Sequence, residues 1–515
     1  MNLGHLIKTA VVKFEPRTAI VEGNVRLTFG EFNGRINRFA NSLIKATGLK
    51  PGDRVALLLN NRHEYMEARL ALEKCGLVWV ALNTLLAEAE ILYILKDSQA
   101  KVLITEQGFT PKINRILSEV DLITVWVGDS SLIQALKYEF ETLIDEGSPE
   151  EPNVNVDFKD LCSLNYTSGT TGKPKGAMLS HQCWINVYKN MLVDRDIRTD
   201  DKLAHIGPLT HASGSYFMPY FLKGATNVIV EGGFNLDVFL QTIEREQITA
   251  FTCVPTMIVR LLNYPGIKKY NLSSLRNIGY GAAPMPVEVI KKAVSLFGPI
   301  LTQNYGQTEA YMTITNLPKE EHLISGDEMS LRRLSSVGRP YTFVEVRVVD
   351  EEDRNVPPGQ PGELIVRSEH VMQGYWKLPE ETAKVLKDGW LYTGDVATLD
   401  EQGYIHLVDR KKDMIISGGF NIYPREVEEI LYAHPAIVEA AVIGVQDQEW
   451  GEKVKALVVL KPGAKTDVNA LIQYCKDRIG FKAPRLIDFL PEIPKNATGK
   501  IDKKLLRQFY GKKLG

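Results

Sequence analysis

The sequence has almost no net charge, no paired cysteines and no long apolar run. Its 61 Lys and Arg residues against 63 Asp and Glu residues leave a net charge of −2, which gives no overall attraction for nucleic acid. The five cysteines are scattered singly, without metal-site or redox-motif spacing. No apolar run reaches the ~18 residues of a membrane-spanning helix, and the start, residues 1–7, lacks a signal-peptide pattern. We therefore expect a cytoplasmic protein with no nucleic-acid partner and no transmembrane segment.

Length and patterning predict several domains rather than one core. The chain has 515 residues, more than the ~250–300 at which a single hydrophobic core stops growing. Its 44% hydrophobic and 24% charged residues are ordinary for a folded protein. Over residues 26–104, short apolar strands such as 55–59 alternate with amphipathic helices such as 31–46. This alternation is typical of parallel sheets covered by helices.

The fold class that these patterns predict is α/β. Residues 336–403 are rich in strand patterns and turn residues, which favours a small barrel or meander. Residues 435–515 alternate strand and helix again. We expect a large N-terminal domain of α/β subdomains with a small β-barrel-like subdomain, and a small C-terminal α/β domain.

One stretch, residues 166–176, carries the first chemical signal. It reads Tyr-Thr-Ser-Gly-Thr-Thr-Gly-Lys-Pro-Lys-Gly, after an apolar run that suits a buried strand. Glycines let backbone N–H groups turn toward one point, while hydroxyls and lysines add donors and positive charge. The residues that would surround a polyphosphate are Thr167, Ser168, Gly169, Thr170, Thr171, Gly172, Lys173 and Lys175. Read alone, the stretch is also compatible with a surface loop between two strands.

This stretch is not a Walker A loop. Read from Gly169, that motif requires a glycine before Lys175 and a Ser or Thr after it, whereas this chain has Pro174 and Gly176 there. Pro174 also disfavours a helix through the loop, so no helix N-terminus is needed at the phosphates. A simple NTP hydrolase of the P-loop type is therefore disfavoured.

Residues 166–176 resemble the AMP-binding signature of the adenylate-forming superfamily, which includes acyl-CoA synthetases, luciferases and the adenylation domains of peptide synthetases. Further motifs follow in the family's order, so the resemblance covers nearly the whole chain. It is nearest to fatty-acyl-CoA and aryl-CoA (4-coumarate-type) ligases. The resemblance implies an N-terminal AMP-binding domain, residues 1–409, and a small mobile C-terminal domain, residues 410–515, that carries a catalytic lysine.

Two further segments match the family's nucleotide site. Residues 278–286, Ile-Gly-Tyr-Gly-Ala-Ala-Pro-Met-Pro, are small enough to let a flat ring approach the backbone, and alone they also suit a strand-to-helix turn. Residues 301–309, Leu-Thr-Gln-Asn-Tyr-Gly-Gln-Thr-Glu, offer an aromatic face, amides and a hydroxyl. Glu309 is a carboxylate suited to Mg²⁺. The resemblance places along the nucleotide Gly281, Ala282, Ala283, Gln303, Asn304, Tyr305, Gly306 and Thr308.

Residues 207–214, Gly-Pro-Leu-Thr-His-Ala-Ser-Gly, contain the next matching position. A lone histidine in an apolar neighbourhood is by itself more often a core residue. The family carries Pro-Leu-Phe-His here, with the histidine near the acyl carboxylate and the thiol tunnel. Thr210 stands where the family has an aromatic residue, which leaves the shape of this gate open. The resemblance assigns to the acyl pocket His211, Tyr280, Gly281 and Ala282.

Residues 392–395, Tyr-Thr-Gly-Asp, supply a carboxylate for the ribose. A carboxylate can accept hydrogen bonds from both ribose hydroxyls, which is what the family's aspartate does at the position of Asp395; by itself, Asp after Gly is usually a turn residue. The charge run 409–413 reads as a solvated linker. The family places its interdomain hinge here, which makes Lys412 the pivot and Arg410 a ribose or phosphate contact.

The last motifs serve thiol binding and the catalytic lysine. Gly418 and Gly419 let a thin thiol arm pass close to the backbone, and the resemblance assigns coenzyme A to them and to Ser417. Residues 494–500, Pro-Lys-Asn-Ala-Thr-Gly-Lys, present Lys500 at the tip of a turn. One lysine means little alone, but the family's lysine in this motif bridges the carboxylate and the α-phosphate.

Together these residues predict an ATP-dependent acid–thiol ligase. A carboxylate attacks the α-phosphate of MgATP and expels pyrophosphate, and the thiol of coenzyme A then attacks the acyl-adenylate. Because two anions must meet, catalysis is expected from positioning and charge neutralisation by Lys500, by Mg²⁺ on Glu309 and by loop donors including Thr167, with His211 beside the acyl group. Rotation of the C-terminal domain would exchange Lys500 for the thiol tunnel. The expected co-substrates and metal are ATP, coenzyme A and Mg²⁺.

Two other classes of function remain. An adenylating enzyme could pass the acyl group to an acceptor other than coenzyme A, as carrier-loading modules and luciferase-type oxidases do, although no fused carrier module follows Lys500 before Gly515. A nucleotide-binding regulatory protein without chemistry is disfavoured by the presence of Lys500 and Glu309.

The partner predicted for this chain is a small-molecule carboxylic acid. The apolar stretch 216–221 favours a medium- or long-chain fatty acid, with aryl or cinnamate-type acids as the runner-up. Oligomeric state, monomer or homodimer, and peripheral membrane contact are left open by the sequence.

Overall fold

The computed structural model describes residues 1–128, 137–167, 173–410, 413–417, 420–447, 449–496 and 500–511. In these residues, helices cover four sheets, three in the N-terminal part of the chain and one in the C-terminal part. The predicted α/β fold class is confirmed. The predicted site residues that lie outside the described residues are Ser168, Gly169, Thr170, Thr171, Gly172, Lys412, Gly418 and Gly419.

The helices and strands follow one another in four groups. Up to Ser180 the elements are α1 (Leu3–Phe14), β1 (Thr18–Glu22), β2 (Val25–Thr28), α2 (Phe29–Thr47), β3 (Arg54–Leu58), α3 (His63–Lys74), β4 (Val78–Ala81), α4 (Glu88–Ser98), β5 (Val102–Glu106), α5 (Thr110–Leu117), β6 (Ile123–Val127), β7 (Tyr138–Glu139), α6 (Phe140–Glu146), β8 (Leu161–Thr167) and β9 (Lys175–Ser180). The second group is α7 (His181–Asp194), β10 (Lys202–His205), α8 (Ala212–Leu222), β11 (Thr226–Ile229), α9 (Leu236–Glu246), β12 (Ala250–Cys253), α10 (Pro255–Leu262), β13 (Asn277–Gly281), α11 (Val287–Phe297), β14 (Leu301–Tyr305), β15 (Thr315–Leu317), α12 (Glu328–Ser335) and β16 (Arg339–Pro340). The third group is β17 (Glu345–Val349), β18 (Gly362–Arg367), α13 (Pro379–Val385), β19 (Leu386–Lys387), β20 (Trp390–Leu399) and β21 (Ile405–Arg410). The fourth group is β22 (Ile415–Ser417), β23 (Phe420–Ile422), α14 (Pro424–Tyr432), β24 (Ile437–Asp447), β25 (Gly451–Leu460), α15 (Val468–Ile479), β26 (Leu486–Phe489) and α16 (Lys503–Tyr510).

The two large sheets are mostly parallel. The seven-stranded sheet has the order β7-β6-β5-β3-β4-β8-β9 and is parallel except for the β8–β9 pair. The nine-stranded sheet has the order β16-β15-β14-β13-β12-β10-β11-β1-β2 and is parallel from β14 to β1. In parallel sheets, ligands bind beyond the carboxyl ends of the strands. This rule directs attention to the ends of β8, β13 and β14.

The two smaller sheets are largely antiparallel. In the first, β17, β18, β20 and β19 pair in that order, and β21 pairs with β20. In the second, the order is β23-β22-β25-β24, with β26 parallel to β25. Strand β21 of the N-terminal part ends at Arg410, and the division of the chain at residues 409 and 410 stays a prediction.

Local sequence explains where several helices begin. Thr28 and Glu31 form a capping box at the start of α2, since each side chain binds the backbone N–H of the other. Pro424 occupies the first turn of α14, where its missing N–H costs nothing. The helix predicted over 31–46 is present as α2.

The charge run 409–413 is not the solvated linker that its composition suggests. Asp413 is buried and accepts a hydrogen bond of 2.7 Å from Arg507 of α16. Asp409 accepts one of 2.9 Å from the backbone N–H of Arg425, and burial raises the pKa of this carboxyl. The solvated interpretation is wrong at these carboxylates, because the C-terminal helices supply partners that local sequence does not show.

None of the helices that the structure describes is both long and apolar enough to cross a bilayer. The five cysteines are free thiols, and four of them are buried.

Candidate active site

The predicted phosphate loop connects two strands of one hairpin. Thr167 is the last residue of β8, and Lys175, its cross-strand partner, is the first residue of β9. The chain therefore leaves the loop as the strand β9, and Pro174 disfavours a helix at this point. At Gly176 an added Cβ would lie 3.0 Å from the ring of Tyr166, which explains the glycine at that position.

The lysines beside the loop contact other elements. The Lys173 ammonium lies 5.3 Å from the centre of the Tyr93 ring. The Lys175 ammonium lies 2.5 Å from Oε2 of Glu381 in α13 and 5.0 Å from the centre of the Tyr375 ring. Lys175 is thus paired with a carboxylate of the described structure.

The ends of β13 and β14 need small residues. At Gly281 an added Cβ would lie 2.4 Å from the backbone oxygen of Asn304, and at Gly306 it would lie 2.6 Å from the backbone of Met312. Ala282 is exposed and has a φ of +66°, a conformation uncommon outside glycine. The small side chains of Ala282 and Ala283 therefore leave the backbone after β13 open to close approach by a ligand.

The side chains of Gln303 and Asn304 in β14 belong to two different hydrogen-bonded clusters. Gln303 is buried, and its Oε1 lies 3.1 Å from the hydroxyl of Tyr280, which lies 2.9 Å from Nε2 of His322. The Asn304 side chain binds Arg195 at 2.8 Å, Tyr341 at 2.9 Å and the hydroxyl of Tyr216.

These contacts bear on two predicted binding residues. With its amide engaged, Asn304 offers the site its backbone rather than its side chain. Tyr280 is 2% exposed, and its hydroxyl is engaged by Gln303 and His322.

A tyrosine and an arginine flank the predicted ribose carboxylate. The Tyr305 hydroxyl donates a hydrogen bond of 2.5 Å to Oδ2 of Asp395. Nε of Arg410, the cross-strand partner of Asp395, lies 3.6 Å from Oδ1. Burial and the neighbouring Asp395 carboxylate raise the pKa of Tyr305, so its hydroxyl stays a donor.

Glu309, the carboxylate predicted to bind the metal, is hydrogen-bonded through one of its two side-chain oxygens. Oε1 of Glu309 accepts a hydrogen bond of 2.7 Å from the Tyr375 hydroxyl, and its backbone oxygen accepts one of 2.8 Å from the N–H of Met372. Thr308 precedes it and is half-buried. A carboxylate oriented in this way suits a hard cation such as Mg²⁺.

Lys500 comes from the C-terminal part of the chain to this same region. Burial, and then the charge of Arg410, lower its pKa to about 8, while the carboxylates of Asp395 and Glu309 oppose that shift. The turn that carries it is closed by Asn496, whose side-chain oxygen accepts the Lys500 N–H at 3.1 Å and whose N–H donates to the Lys500 carbonyl at 2.8 Å. The ammonium is thus coupled electrostatically to the predicted ribose and metal carboxylates, Asp395 and Glu309.

His211 lies at the start of α8 within electrostatic range of the same lysine. Burial, and then the charge of Lys500, lower the pKa of His211 to about 4, so its ring is neutral at pH 7. Its Nδ1 lies 3.0 Å from Oγ1 of Thr210, and its Nε2 lies 3.5 Å from Nδ2 of Asn83. Thr210, the departure from the family pattern, thus contacts the histidine ring directly.

Ser417 is the described member of the predicted thiol site. It is buried at the end of β22, where it pairs with Phe420 of β23 and Gly451 of β25. The hairpin fixes its backbone within the C-terminal sheet.

Sequence reasoning missed Tyr375, Glu381 and Asn83. Tyr375 and Glu381 flank the start of α13, and the acidic residues after Pro379 were a usable signal for a helix N-terminus. The contact of Asn83 with His211 spans 128 residues, and no local pattern predicts it.

Comparison with known proteins decides the family. The model of the AMP-binding enzyme family matches residues 7–376, and that of the AMP-binding enzyme C-terminal domain matches residues 426–500. The chain belongs to the AMP-binding enzymes. It is an adenylate-forming acid–CoA ligase, a class of enzyme that uses ATP and coenzyme A with a small carboxylic acid.

Individual relatives cover almost the whole chain. A feruloyl-CoA synthase of Amycolatopsis sp is 39% identical over 497 residues, 96% of each chain. The medium/long-chain-fatty-acid–CoA ligase FadD8 of Mycobacterium tuberculosis is 35% identical over 526 residues, 99% of this chain and 90% of that one. The structure of the amide bond synthetase McbA from Marinactinospora thermotolerans is 30% identical, with a TM-score of 0.88 over 99% of this chain and 100% of that one.

Proposed function

We propose that this enzyme activates a hydrophobic carboxylic acid as its acyl-adenylate, releases pyrophosphate, and then transfers the acyl group to coenzyme A with release of AMP. One observation carries the proposal. Lys500 lies within electrostatic range of Asp395, Glu309 and Arg410, although it comes from the C-terminal part of the chain. A cation is needed at this point because the carboxylate and the α-phosphate are both anions.

Each described residue has a distinct part in the first half-reaction. Asp395 accepts the ribose hydroxyls, oriented by Tyr305 and Arg410 on its two oxygens. Thr167 and Lys175 approach the phosphates from the two strands of the β8–β9 hairpin. Positioning of this kind, rather than a nucleophilic side chain, supplies most of the catalysis in phosphoryl-type transfers.

Glu309 is the proposed Mg²⁺ ligand. Its Oε1 is held by Tyr375, while for Oε2 the described residues provide no hydrogen bond. A carboxylate oxygen is the donor that Mg²⁺ prefers. When bound, the ion would neutralise charge on the phosphates, and this chain's contribution is to orient the carboxylate through Tyr375.

The second half-reaction requires a different arrangement of the two domains. Lys500 occupies the region where the acyl group would react, so the thiol arm needs that position cleared. We infer that the C-terminal domain, residues 410–515, rotates at Lys412 and brings Ser417, Gly418 and Gly419 to the acyl-adenylate. His211, neutral and beside the acyl group, remains in the N-terminal domain throughout.

The proposed substrate classes are fatty acids and hydroxycinnamate-type aryl acids. The stretch 216–221, which favours a fatty acid, is buried: the Phe217 ring packs 5.9 Å from that of Phe32, and the Phe221 ring lies 4.5 Å from that of Phe29. Its apolarity is therefore explained by the core. Medium- or long-chain fatty acids remain a candidate through the ligase relative at 35% identity, and hydroxycinnamate-type aryl acids are the second candidate through the feruloyl-CoA synthase at 39%.

A panel of acids tests the function and its substrate together. Pyrophosphate release and acyl-CoA formation are measured with C8–C16 fatty acids and with cinnamic, coumaric and ferulic acids, each with and without coenzyme A. We expect AMP and acyl-CoA in equal amounts with one of these two classes. The absence of pyrophosphate release with every acid, from protein that binds ATP, would refute the proposed activity.

Transfer to an amine is a separate candidate, favoured by the structural likeness to McbA, an amide bond synthetase. In the same assay, coenzyme A is replaced by small primary amines. Faster AMP turnover with an amine than with coenzyme A would select this acceptor, whereas turnover that depends on coenzyme A alone would exclude it.

A further inference from the structure

Lys175 and Glu381 form an ion pair at the C-terminal end of the predicted phosphate loop. The distance from Nζ to Oε2 is 2.5 Å, and the two side chains are 23% and 30% exposed. The other carboxylate oxygen of Glu381 pairs with Lys384, one helical turn further along α13. Glu381 therefore holds two lysines at once, and only one of them adjoins the phosphate loop.

The backbone fixes this pair in place. Tyr375 forms a bridge with Ala177 of β9, and the Trp376 N–H donates a hydrogen bond of 2.8 Å to the carbonyl of Gly176. The Tyr375 N–H donates one of 2.8 Å to Oγ1 of Thr382 in α13. The helix that carries Glu381 is thus tied to the strand that carries Lys175, and their proximity does not depend on flexible side chains alone.

The ammonium also lies beside a tyrosine that reaches the proposed metal carboxylate. The Tyr375 ring centre is 5.0 Å from the Lys175 ammonium, and the hydroxyl of the same residue donates to Glu309. A ligand that binds Lys175 and a cation that binds Glu309 would therefore meet over one aromatic ring. MgATP supplies both partners, since its phosphates would bind Lys175 and its Mg²⁺ would bind Glu309.

We propose that Glu381 is a built-in counter-ion that holds Lys175 while no polyphosphate is bound and competes with ATP and with pyrophosphate for it. This inference rests on the proposed function, because it concerns the same phosphate site. On ATP binding, Lys175 exchanges the carboxylate for phosphate oxygens, and Lys384 keeps Glu381 paired. After adenylate formation, Glu381 recaptures Lys175 and helps pyrophosphate to leave.

The competition predicts effects of opposite sign for two substitutions. Glu381→Gln removes the competing charge, so MgATP and pyrophosphate should bind more tightly, by about two- to fivefold for a partly exposed pair. Lys384→Ala leaves Glu381 with Lys175 alone, so both ligands should bind more weakly. The side chains of Glu381 and Lys384 are 30% and 67% exposed, and melting temperatures close to the wild-type value would show that the fold is kept.

A control at Glu380 distinguishes the direct contact of Glu381 with Lys175 from a general change in the charge of the protein. Glu380 is exposed and forms no ion pair in the part of the chain that the structure describes, so Glu380→Gln makes the same charge change beside the site. If the field of the protein alone controlled affinity, Glu380→Gln and Glu381→Gln would tighten binding equally, and the proposal would be overturned.

The decisive measurements are the dissociation constant of a non-hydrolysable MgATP analogue, by calorimetry on the full chain, and the inhibition constant of pyrophosphate in the adenylation assay. Tighter binding of both ligands by Glu381→Gln alone, with weaker binding by Lys384→Ala, would support the proposal. An unchanged or weaker affinity in Glu381→Gln would refute it. The calorimetric result needs no turnover, so failure of the proposed acid-activating function would be seen separately, as an inactive acid panel with intact nucleotide binding.

Discussion

The hydroxyl of Tyr305 donates a hydrogen bond of 2.5 Å to Asp395, which lies 90 residues later in the chain. Tyr305 ends β14 of the nine-stranded sheet, and Asp395 belongs to β20 of a separate antiparallel sheet. The bond joins the two sheets at the carboxyl end of a parallel strand. It leaves the carboxylate oriented by a neutral donor before any nucleotide arrives, which reduces the ordering that binding requires.

Asp395→Ala should weaken ATP binding. Loss of a charge-assisted hydrogen bond to the ribose costs about 1.5–3 kcal/mol, about a 10- to 100-fold rise in the dissociation constant. Calorimetric titration with ATP measures it, with Asp200→Ala, an exposed aspartate outside the site, as the control. An unchanged dissociation constant in folded Asp395→Ala would remove this residue from the ribose site.

Lys500→Ala should abolish adenylate formation and spare thioester formation from a supplied acyl-adenylate. The reason is that the ammonium is needed where two anions meet, which happens only in the first half-reaction. Pyrophosphate release and acyl-CoA formation are measured separately. Lys504→Ala, a nearby exposed lysine, should keep both rates, and wild-type rates of both in Lys500→Ala would contradict the assignment.

Adenylation should depend on the charge of Lys500 as pH changes. Its pKa is lowered to about 8, so the protonated, active form is complete well below pH 8 and is lost as pH rises through that value. We expect kcat/KM for pyrophosphate release, which reports the free enzyme, to fall on the alkaline side. Lys500→Arg should move this fall to higher pH, and thioester formation from supplied adenylate should not show it. The same alkaline fall in both half-reactions would assign it to another group.

Arg69→Met should strongly destabilise the N-terminal part of the chain. The Arg69 guanidinium donates to Oε1 of Glu73 at 2.9 Å, to the Gly214 carbonyl at 3.1 Å and to the Tyr188 hydroxyl at 2.7 Å, and both members of the ion pair are buried. Removing one partner of such a pair costs about 3–5 kcal/mol. The free energy of unfolding in urea measures the loss.

The control and the pH dependence make this prediction specific. Lys96→Met, which breaks an exposed pair with Glu119, should cost about 0–1 kcal/mol. Burial raises the pKa of Glu73, so in Arg69→Met the folded state holds a proton that the unfolded state loses as pH rises above its ordinary carboxyl pKa. The loss of stability should therefore be larger at pH 8 than at pH 5, and an equal loss at both would argue against an orphaned Glu73 carboxylate.

Patterns of short range predicted much of the fold. The apolar patterns at 31–46 and 55–59 predict the elements that are α2 and β3, and the run before the phosphate loop predicts β8. Pro174 disfavours a helix through the loop, because proline interferes with helical hydrogen bonding within a few residues of itself, and the chain after it forms the strand β9. These features follow from periodicity and backbone chemistry, which each act over one or two turns.

Patterns that depend on distant partners were misread or missed. Charge at 409–413 indicated solvent, yet α16 buries Asp413 against Arg507. Apolarity at 216–221 indicated a substrate tail, yet the rings of α8 pack on those of α2. In both cases the sequence shows that a side chain is polar or apolar, but it does not show which distant residue that side chain contacts.

The sequence by itself determined the family, the α/β class and the residue types that meet a nucleotide, because motifs such as 166–176 and 494–500 are local and specific. Only the tertiary structure decided which of these residues act as one unit. Lys500 comes near Asp395 and Glu309, Tyr305 bonds to Asp395, and Glu381 holds Lys175. Each of these contacts joins segments far apart in the chain, and its energy depends on burial and on distances of a few ångströms, quantities that exist only once the sheets have packed.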